Sequence, residues 1–353
     1  MQDITKSSLR YTLLYKLVKI FFKLFYRRFT ITGRENIPAG VPVIFASNHQ
    51  NALMDALAML FAANRPVVFL ARADIFKNAR MAKLLNFLKI FPVYRIRDGI
   101  ETMGNNSLIF DKTVQVLQSG VPLGILPEGT HTDIKHLQTL KKGICRIAFQ
   151  AAETSGFGIN IHIVPVGIDY AHYQNAGTHL LLNYGAPVVV GAYHELYNEN
   201  PQKAIARLRD DLALAIKKEM IHVENVEYYR PITTLTEILV PVYLKNKNLN
   251  DNRINRFNAS REIIREIETA AAENRLDLPL LQEQTNNYQK LLENYKLKNK
   301  LFESPVPTGL LLVLAALLSL LLLPIHLYGM IFNYLPYKLP VVLTRKVKDP
   351  QFV

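Results

Sequence analysis

Hydrophobic and polar positions alternate along this chain in three distinct ways. Between Tyr11 and Phe29 the run YTLLYKLVKIFFKLFYRRF carries Lys16, Lys19, Lys23 and Arg27 at steps of three and four. On a helix these form one basic stripe, with Leu, Ile, Val, Phe and Tyr covering the rest of the surface. The spacing predicts an amphipathic helix lying in a membrane interface, its basic residues toward lipid phosphates. Lysines interrupt the apolar run and no small-residue cleavage site follows, so it does not read as a secretory signal.

From about residue 41 to 190 short apolar runs alternate with helical patterns. Strands are expected at Val41–Ala46, Val67–Leu70, Phe91–Tyr94, Leu123–Leu126, Ile161–Ile168 and His179–Asn183. Amphipathic stretches lie between them near 52–63, 74–89, 101–118 and 139–153. This order predicts an α/β domain whose central mixed sheet is flanked by helices. Residues 201–222 read as a further helix with Pro201 in its first turn. Residues 232–300 are rich in Asn, Lys and Glu, keep a helical period and contain no convincing strand; they predict a helical arm.

The third pattern is unbroken apolarity. Residues 304–337 contain no Asp, Glu, Lys or Arg. As one straight helix they would extend about 50 Å, beyond a hydrocarbon core of about 30 Å. Pro324 near the middle is a helix breaker. Lys298 and Lys300 precede the segment, and Lys338, Arg345, Lys346 and Lys348 follow it. A hairpin entering and leaving on one side keeps both basic clusters on that side, so a membrane hairpin is expected ahead of the alternative, one tilted span. The predicted organisation is an interfacial helix in 1–30, a catalytic domain in 31–230, a helical arm in 231–303, a membrane hairpin or span in 304–337 and a basic tail in 338–353.

Composition narrows the function classes. The chain has 353 residues, 49% hydrophobic and 20% charged, which excludes a disordered or low-complexity chain. The formal net charge of +13 points to nucleic acid, an anionic membrane surface or a phosphorylated substrate. No nucleic-acid motif or basic groove with interleaved aromatics is present, which leaves the other two. Cys145 stands alone, so neither a disulfide framework nor a cysteine metal site is expected.

Four short segments carry candidate chemistry. In Ser47-Asn48-His49-Gln50-Asn51-Ala52-Leu53-Met54-Asp55 the histidine follows a strand, and Asp55 falls in the next helix. A tight turn and one helical turn bring the carboxylate back to the imidazole. Asp55 then accepts from Nδ1–H and leaves Nε2 as a base. If the attacking group is a substrate hydroxyl, the protein needs no nucleophile of its own. Leu126-Pro127-Glu128-Gly129-Thr130-His131-Thr132-Asp133 also follows a strand, at the end of a sheet where ligands bind. Thr130, His131 and the backbone N–H groups offer donors to phosphate or hydroxyls, while Glu128 either orders the loop or holds a hydroxyl. Phe91-Pro92-Val93-Tyr94-Arg95-Ile96-Arg97 puts arginines directly after a strand, a fork suited to phosphate. The fourth segment, Ile163-Val164-Pro165-Val166-Gly167, is an apolar strand interrupted by proline. Lys141-Lys142-Gly143 adds positive charge after the second segment.

In this order the four segments resemble the PlsC-like glycerolipid acyltransferase family, the lysophosphatidic acid and glycerol-3-phosphate acyltransferases, over about residues 30–225. Two departures stand out. Five residues rather than four separate His49 from Asp55, and His131 stands where the family commonly has arginine. Both look like the eukaryotic-type glycerol-3-phosphate and dihydroxyacetone-phosphate acyltransferase branch. The resemblance implies His49 and Asp55 as the catalytic pair and Arg95 as a phosphate ligand. It implies Glu128, Gly129, Thr130 and His131 as the acceptor loop, and Pro165 as part of the fourth motif. It also implies acyl-CoA or acyl carrier protein as donor, no metal or other cofactor, glycerol-3-phosphate or lysophosphatidic acid as acceptor, and a catalytic domain on the cytoplasmic face of a membrane. The rivals are a catalytically silent membrane scaffold, a hydrolase using His49 with Ser47, and an acyltransferase for another lysophospholipid or lipid acceptor. The second is disfavoured because no Gly-x-Ser-x-Gly elbow occurs.

Overall fold

The computed structural model describes residues 8–93, 104–302 and 309–344. In chain order the elements are α1 (Leu9–Phe25), β1 (Tyr26–Thr32), β2 (Val43–Ser47), α2 (Ala52–Ala63), β3 (Val68–Arg72), α3 (Ala79–Phe87) and β4 (Ile90–Val93). There follow α4 (Gly104–Gln118), β5 (Leu123–Ile125), α5 (Gly143–Glu153), β6 (His162–Tyr170), β7 (Thr178–Tyr184), β8 (Val188–Val189), α6 (His194–Glu199) and α7 (Pro201–Glu219). The remainder is helical: α8 (Tyr229–Asn246), α9 (Arg253–Ala272), α10 (Leu278–Asn294) and α11 (Gly309–Thr344).

The strands form one mixed sheet in the order β1-β7-β6-β2-β5-β3-β4, with β8 paired to β6. Strands β6, β2, β5, β3 and β4 are mutually parallel, whereas β7 runs antiparallel to β6 and carries β1 beside it in parallel. Parallel strands covered on both faces become continuous apolar runs, and Val43–Ser47 is buried at every position. On one face α4, α5 and α7 cover the sheet through Val116, Leu117, Phe149, Leu208 and Leu212. On the other α1 and α2 pack through Phe22, Met59 and Phe61, against Tyr26 of β1.

All six expected strands are present with small shifts at their ends. The amphipathic run expected at 11–29 differs. Helix α1 stops at Phe25, where Tyr26 turns to extended backbone at φ −97° and ψ 111°, so Arg27 belongs to β1 and not to a helical stripe. Thr30, Ile31 and Thr32 are β-branched residues that favour a strand, and they pair with Leu181, Leu182 and Asn183 of β7. The stretch at 74–89 is divided by Asn78, whose side chain caps α3 by accepting from Arg80 N at 2.9 Å.

The chain divides into two compact units. One gathers the residues up to Glu227 together with Asn250–Glu268, and the other Tyr228–Leu249 and the residues from Thr269 onward. The first holds the sheet. The second is helical and contains α11, a continuous helix of 36 residues. Its stretch Gly309–Pro336 is long and apolar enough to cross a membrane, and its most apolar part has no buried residue. The expected hairpin is therefore corrected to one helix running through Pro324. A proline removes one backbone hydrogen bond and bends a helix; reversing the chain also needs turn residues. Leu320–Leu323 and Ile325–Leu327 supply none.

Candidate active site

Three parallel strands aim their carboxyl ends at one edge of the sheet. Strand β2 ends two residues before His49, and β5 ends three residues before Glu128. Strand β6 lies on the other side of β2, with Ala46 opposite Pro165 and Ser47 opposite Val166. Asn48 clasps β6 through both ends of its amide: Nδ2 donates to Ile168 O at 3.0 Å and Oδ1 accepts from Ile168 N at 2.8 Å. This clasp fixes where the chain leaves the sheet, and hence where His49 stands.

His49 and Asp55 meet. The imidazole Nδ1 lies 2.8 Å from Asp55 Oδ2, with His49 side-chain exposure 13% and Asp55 fully buried. The same oxygen accepts from Gln50 N and Asn51 N, each at 2.8 Å. Asp55 Oδ1 accepts from the Tyr170 hydroxyl at 2.6 Å. A carboxylate held by backbone and phenol donors acts as acceptor toward the ring, so Nδ1 carries the proton and Nε2 keeps its lone pair. The five-residue separation is absorbed in the turn, where Ala52 takes φ +39° as α2 begins.

The Glu128 loop is sewn to the same turn. Glu128 Oε1 accepts from His49 N at 2.6 Å and Oε2 from Gln138 N at 2.8 Å. Both carboxylate oxygens are thus engaged by backbone amides, and of the two roles open to Glu128 the geometry matches ordering the loop. Burial pushes its carboxyl up to about 7, with the Asp55 charge adding to the rise and the two N–H bonds opposing it. In the other direction Thr132 N donates to His49 O at 3.2 Å. Gly129 takes φ +73°, a left-handed turn that suits glycine. Thr130 Oγ1 donates to Gln138 Oε1 at 3.2 Å. The His131 ring stands edge-on to His49, with centroids 5.4 Å apart.

His49, Asp55, Glu128, Gly129, Thr130 and His131 are therefore gathered at one sheet edge. Arg95, the expected phosphate ligand, and Arg97 lie outside the described residues. Pro165 sits within β6, in register with Ala46 and set back from the edge. Ser47 is fully buried at the end of β2, which is no place for a nucleophile. Of the expected positive charges, Lys141 stands beside the loop: its N–H donates to Pro127 O at 2.8 Å, and its side chain passes 3.7 Å from the position a Cβ on Gly129 would take. Among the described residues no group of three His, Cys, Asp or Glu is arranged to hold a metal ion.

Sequence reasoning missed Tyr170, Gln138 and the Asn48 clasp. Tyr170 lies 115 positions from its partner and Asn48 lies 120 from Ile168. The one available signal was the polar tip of Tyr170 at the end of an apolar strand.

Residues 28–169 match the acyltransferase family model. The chain is 30% identical over 105 residues to glycerol-3-phosphate O-acyltransferase 2 of Saccharomyces cerevisiae, covering 30% of this chain and 14% of that protein. It is 28% identical over 133 residues to a 1-acyl-sn-glycerol-3-phosphate acyltransferase of Borreliella burgdorferi, covering 38% of this chain and 51% of the relative. A solved structure, the 1-acyl-sn-glycerophosphate (LPA) acyltransferase PlsC of Thermotoga maritima, is similar with a TM-score of 0.41 and 19% identity, covering 59% of this chain and 78% of that one. The chain thus matches about half or less of the length of these curated relatives.

Proposed function

We propose, from the match of residues 28–169 to the acyltransferase family model, that the chain moves a fatty acyl group from a thioester carrier, acyl-CoA or acyl carrier protein, to a hydroxyl of glycerol-3-phosphate or lysophosphatidic acid. The observation that carries this reading is the 2.8 Å contact of His49 Nδ1 with buried Asp55, set beside the Glu128 loop. Nε2 of His49 takes the proton of the acceptor hydroxyl as its oxygen attacks the thioester carbonyl. The tetrahedral intermediate then collapses, the carbon–sulfur bond breaks, and the departing thiolate receives that proton. The ester forms, the thiol leaves and His49 returns to its neutral state. The thioester is already activated, so the chain has only to orient the two substrates and move one proton. Gly129, Thr130, His131 and Lys141 surround the position proposed for the acceptor's polar head, with Arg95 as the expected phosphate ligand.

The membrane assignment belongs to the same proposal. Leu9, Leu13, Leu17, Ile20, Phe21 and Leu24 are all exposed on α1, at steps that align them along one side of the helix. Lys16 and Lys23 flank this stripe, and residues 8–34 contain no Asp or Glu. An apolar stripe with basic flanks suits an interfacial helix over anionic lipid. In this reading α11 anchors the chain in the membrane, and the catalytic unit works on the cytoplasmic face. Holding the site at the interface spares an insoluble acyl chain the passage through water.

The test is to incubate membranes containing the protein with a labelled acyl thioester and either glycerol-3-phosphate or lysophosphatidic acid, and to identify the lipid formed. A new ester with at least one acceptor is expected. Release of free fatty acid with neither acceptor esterified would instead mark a hydrolase, and no turnover at all a silent scaffold.

A further inference from the structure

The Asp55 carboxylate is gripped from two directions. Its Oδ2 is held by three groups of one short turn: His49 Nδ1, Gln50 N and Asn51 N, all at 2.8 Å. Its Oδ1 is held from across the sheet by the Tyr170 hydroxyl at 2.6 Å. Rotation about the Asp Cβ–Cγ bond is soft, and donors gathered at one oxygen leave that rotation poorly restrained. A donor at the second oxygen sets the plane of the carboxylate, and with it the direction in which Oδ2 meets the imidazole.

We propose that Tyr170 is a positioning residue for the reaction, locking the Asp55 carboxylate so that His49 presents Nε2 in a single orientation; the proposal rests on the acyltransferase reading above. Tyr170 is itself firmly placed. It ends β6, two residues beyond the Ile168 clasp made by Asn48. Its ring packs between Tyr26 and Tyr173, with centroids 6.1 Å and 5.5 Å away. Burial, and then the charge of Asp55, raise its phenol well above the ordinary value, so it remains a donor. Buried to 2% exposure behind Asp55, it acts through the carboxylate and not on substrate. The arrangement extends the His–Asp pair to a Tyr–Asp–His relay of orientation, in which the proton that moves is still the one at His49 Nε2.

The experiment compares wild type, Tyr170→Phe and Tyr26→Phe in the full chain, each shown to be folded by circular dichroism. Tyr26 is the control, because its phenol oxygen is buried nearby without a hydrogen-bond partner. Tyr170→Phe is expected to lower kcat roughly 10- to 100-fold, the loss that follows when a buried charged acceptor loses one donor. KM for donor and acceptor should stay within about twofold, because Tyr170 lies away from substrate. Tyr26→Phe should keep both constants within about twofold. In proton NMR the downfield His49 Nδ1–H resonance should move in Tyr170→Phe and hold in Tyr26→Phe. A Tyr170→Phe enzyme with kcat within twofold of wild type, or one whose whole loss appears in KM, overturns the proposal. Should wild type itself transfer no acyl group, the acyltransferase reading fails. The resonance then still decides whether Tyr170 orients the pair: movement supports it and an unmoved signal rejects it.

Discussion

Replacing Glu128 by glutamine isolates the cost of burying a carboxylate in the middle of this site. Glu128 is 2% exposed and gives each oxygen to a backbone N–H. Burial pushes its carboxyl from an ordinary 4.5 to about 7. The folded chain thus binds this proton more tightly than the unfolded chain does. The stability it contributes is complete below about pH 4.5 and is lost as pH rises through about 7. At 1.36 kcal/mol per pH unit the whole window is worth about 3 kcal/mol, of which about 2.5 kcal/mol falls between pH 5 and pH 8. Glutamine has nearly the same shape and does not titrate; its NH2 meets one of the two backbone N–H donors, which adds an offset that does not depend on pH. The stability gap between the two proteins should therefore shift by about 2.5 kcal/mol in favour of Glu128→Gln from pH 5 to pH 8. Urea unfolding of both in the same detergent at the two pH values measures this difference, in which every other titrating group cancels. A gap that stays constant within about 0.5 kcal/mol would mean that the two N–H bonds outweigh burial and keep the carboxylate ionised throughout, and the reasoning would fail.

Other consequences are as direct. Ala52 holds φ +39° in the turn between His49 and Asp55, so Ala52→Gly should raise unfolding stability by roughly 0.5–1 kcal/mol, relief of the left-handed cost outweighing glycine's extra entropy; a clear loss of stability would refute the strain. A Cβ on Gly167 would lie 1.8 Å from Glu219 O, so Gly167→Ala should force β6 and the end of α7 apart and cost about 3 kcal/mol or more in thermal unfolding; an unchanged melting temperature would contradict that close approach. Replacing exposed Leu17 and Phe21 of α1 by glutamate should weaken binding of the chain, with α11 deleted, to anionic phospholipid vesicles at least tenfold; equal sedimentation with vesicles would remove α1 from the interface.

Much of this architecture was legible in the sequence, for physical reasons that differ by element. The apolar runs at β2, β3, β5 and β6 are near-continuous because parallel strands in the middle of a sheet are buried on both faces. Strand β1 was hidden because YRRFTIT follows directly on an amphipathic helix, and its Phe and Arg continue that pattern. Strand β8 has two residues, too few to show a period. The His49–Asp55 pairing was legible because both members lie on one strand–turn–helix. The Tyr170 contact was not, since strand order brings the two residues together and no local spacing reports it. Pro324 misled in the other direction: a breaker without turn residues around it leaves a helix continuous.

The proton-transfer claim is tested most directly by acyl transfer rates of His49→Ala, Asp55→Asn and the double variant, measured with saturating thioester and acceptor. If the pair works as a unit, His49→Ala should lose on the order of a thousandfold or more, and Asp55→Asn about a hundredfold or more. The double variant should then be no slower than His49→Ala alone, because the carboxylate acts only through the ring. A His49→Ala protein that keeps more than about a tenth of the wild-type rate would contradict the account, since some other group would then be taking the proton.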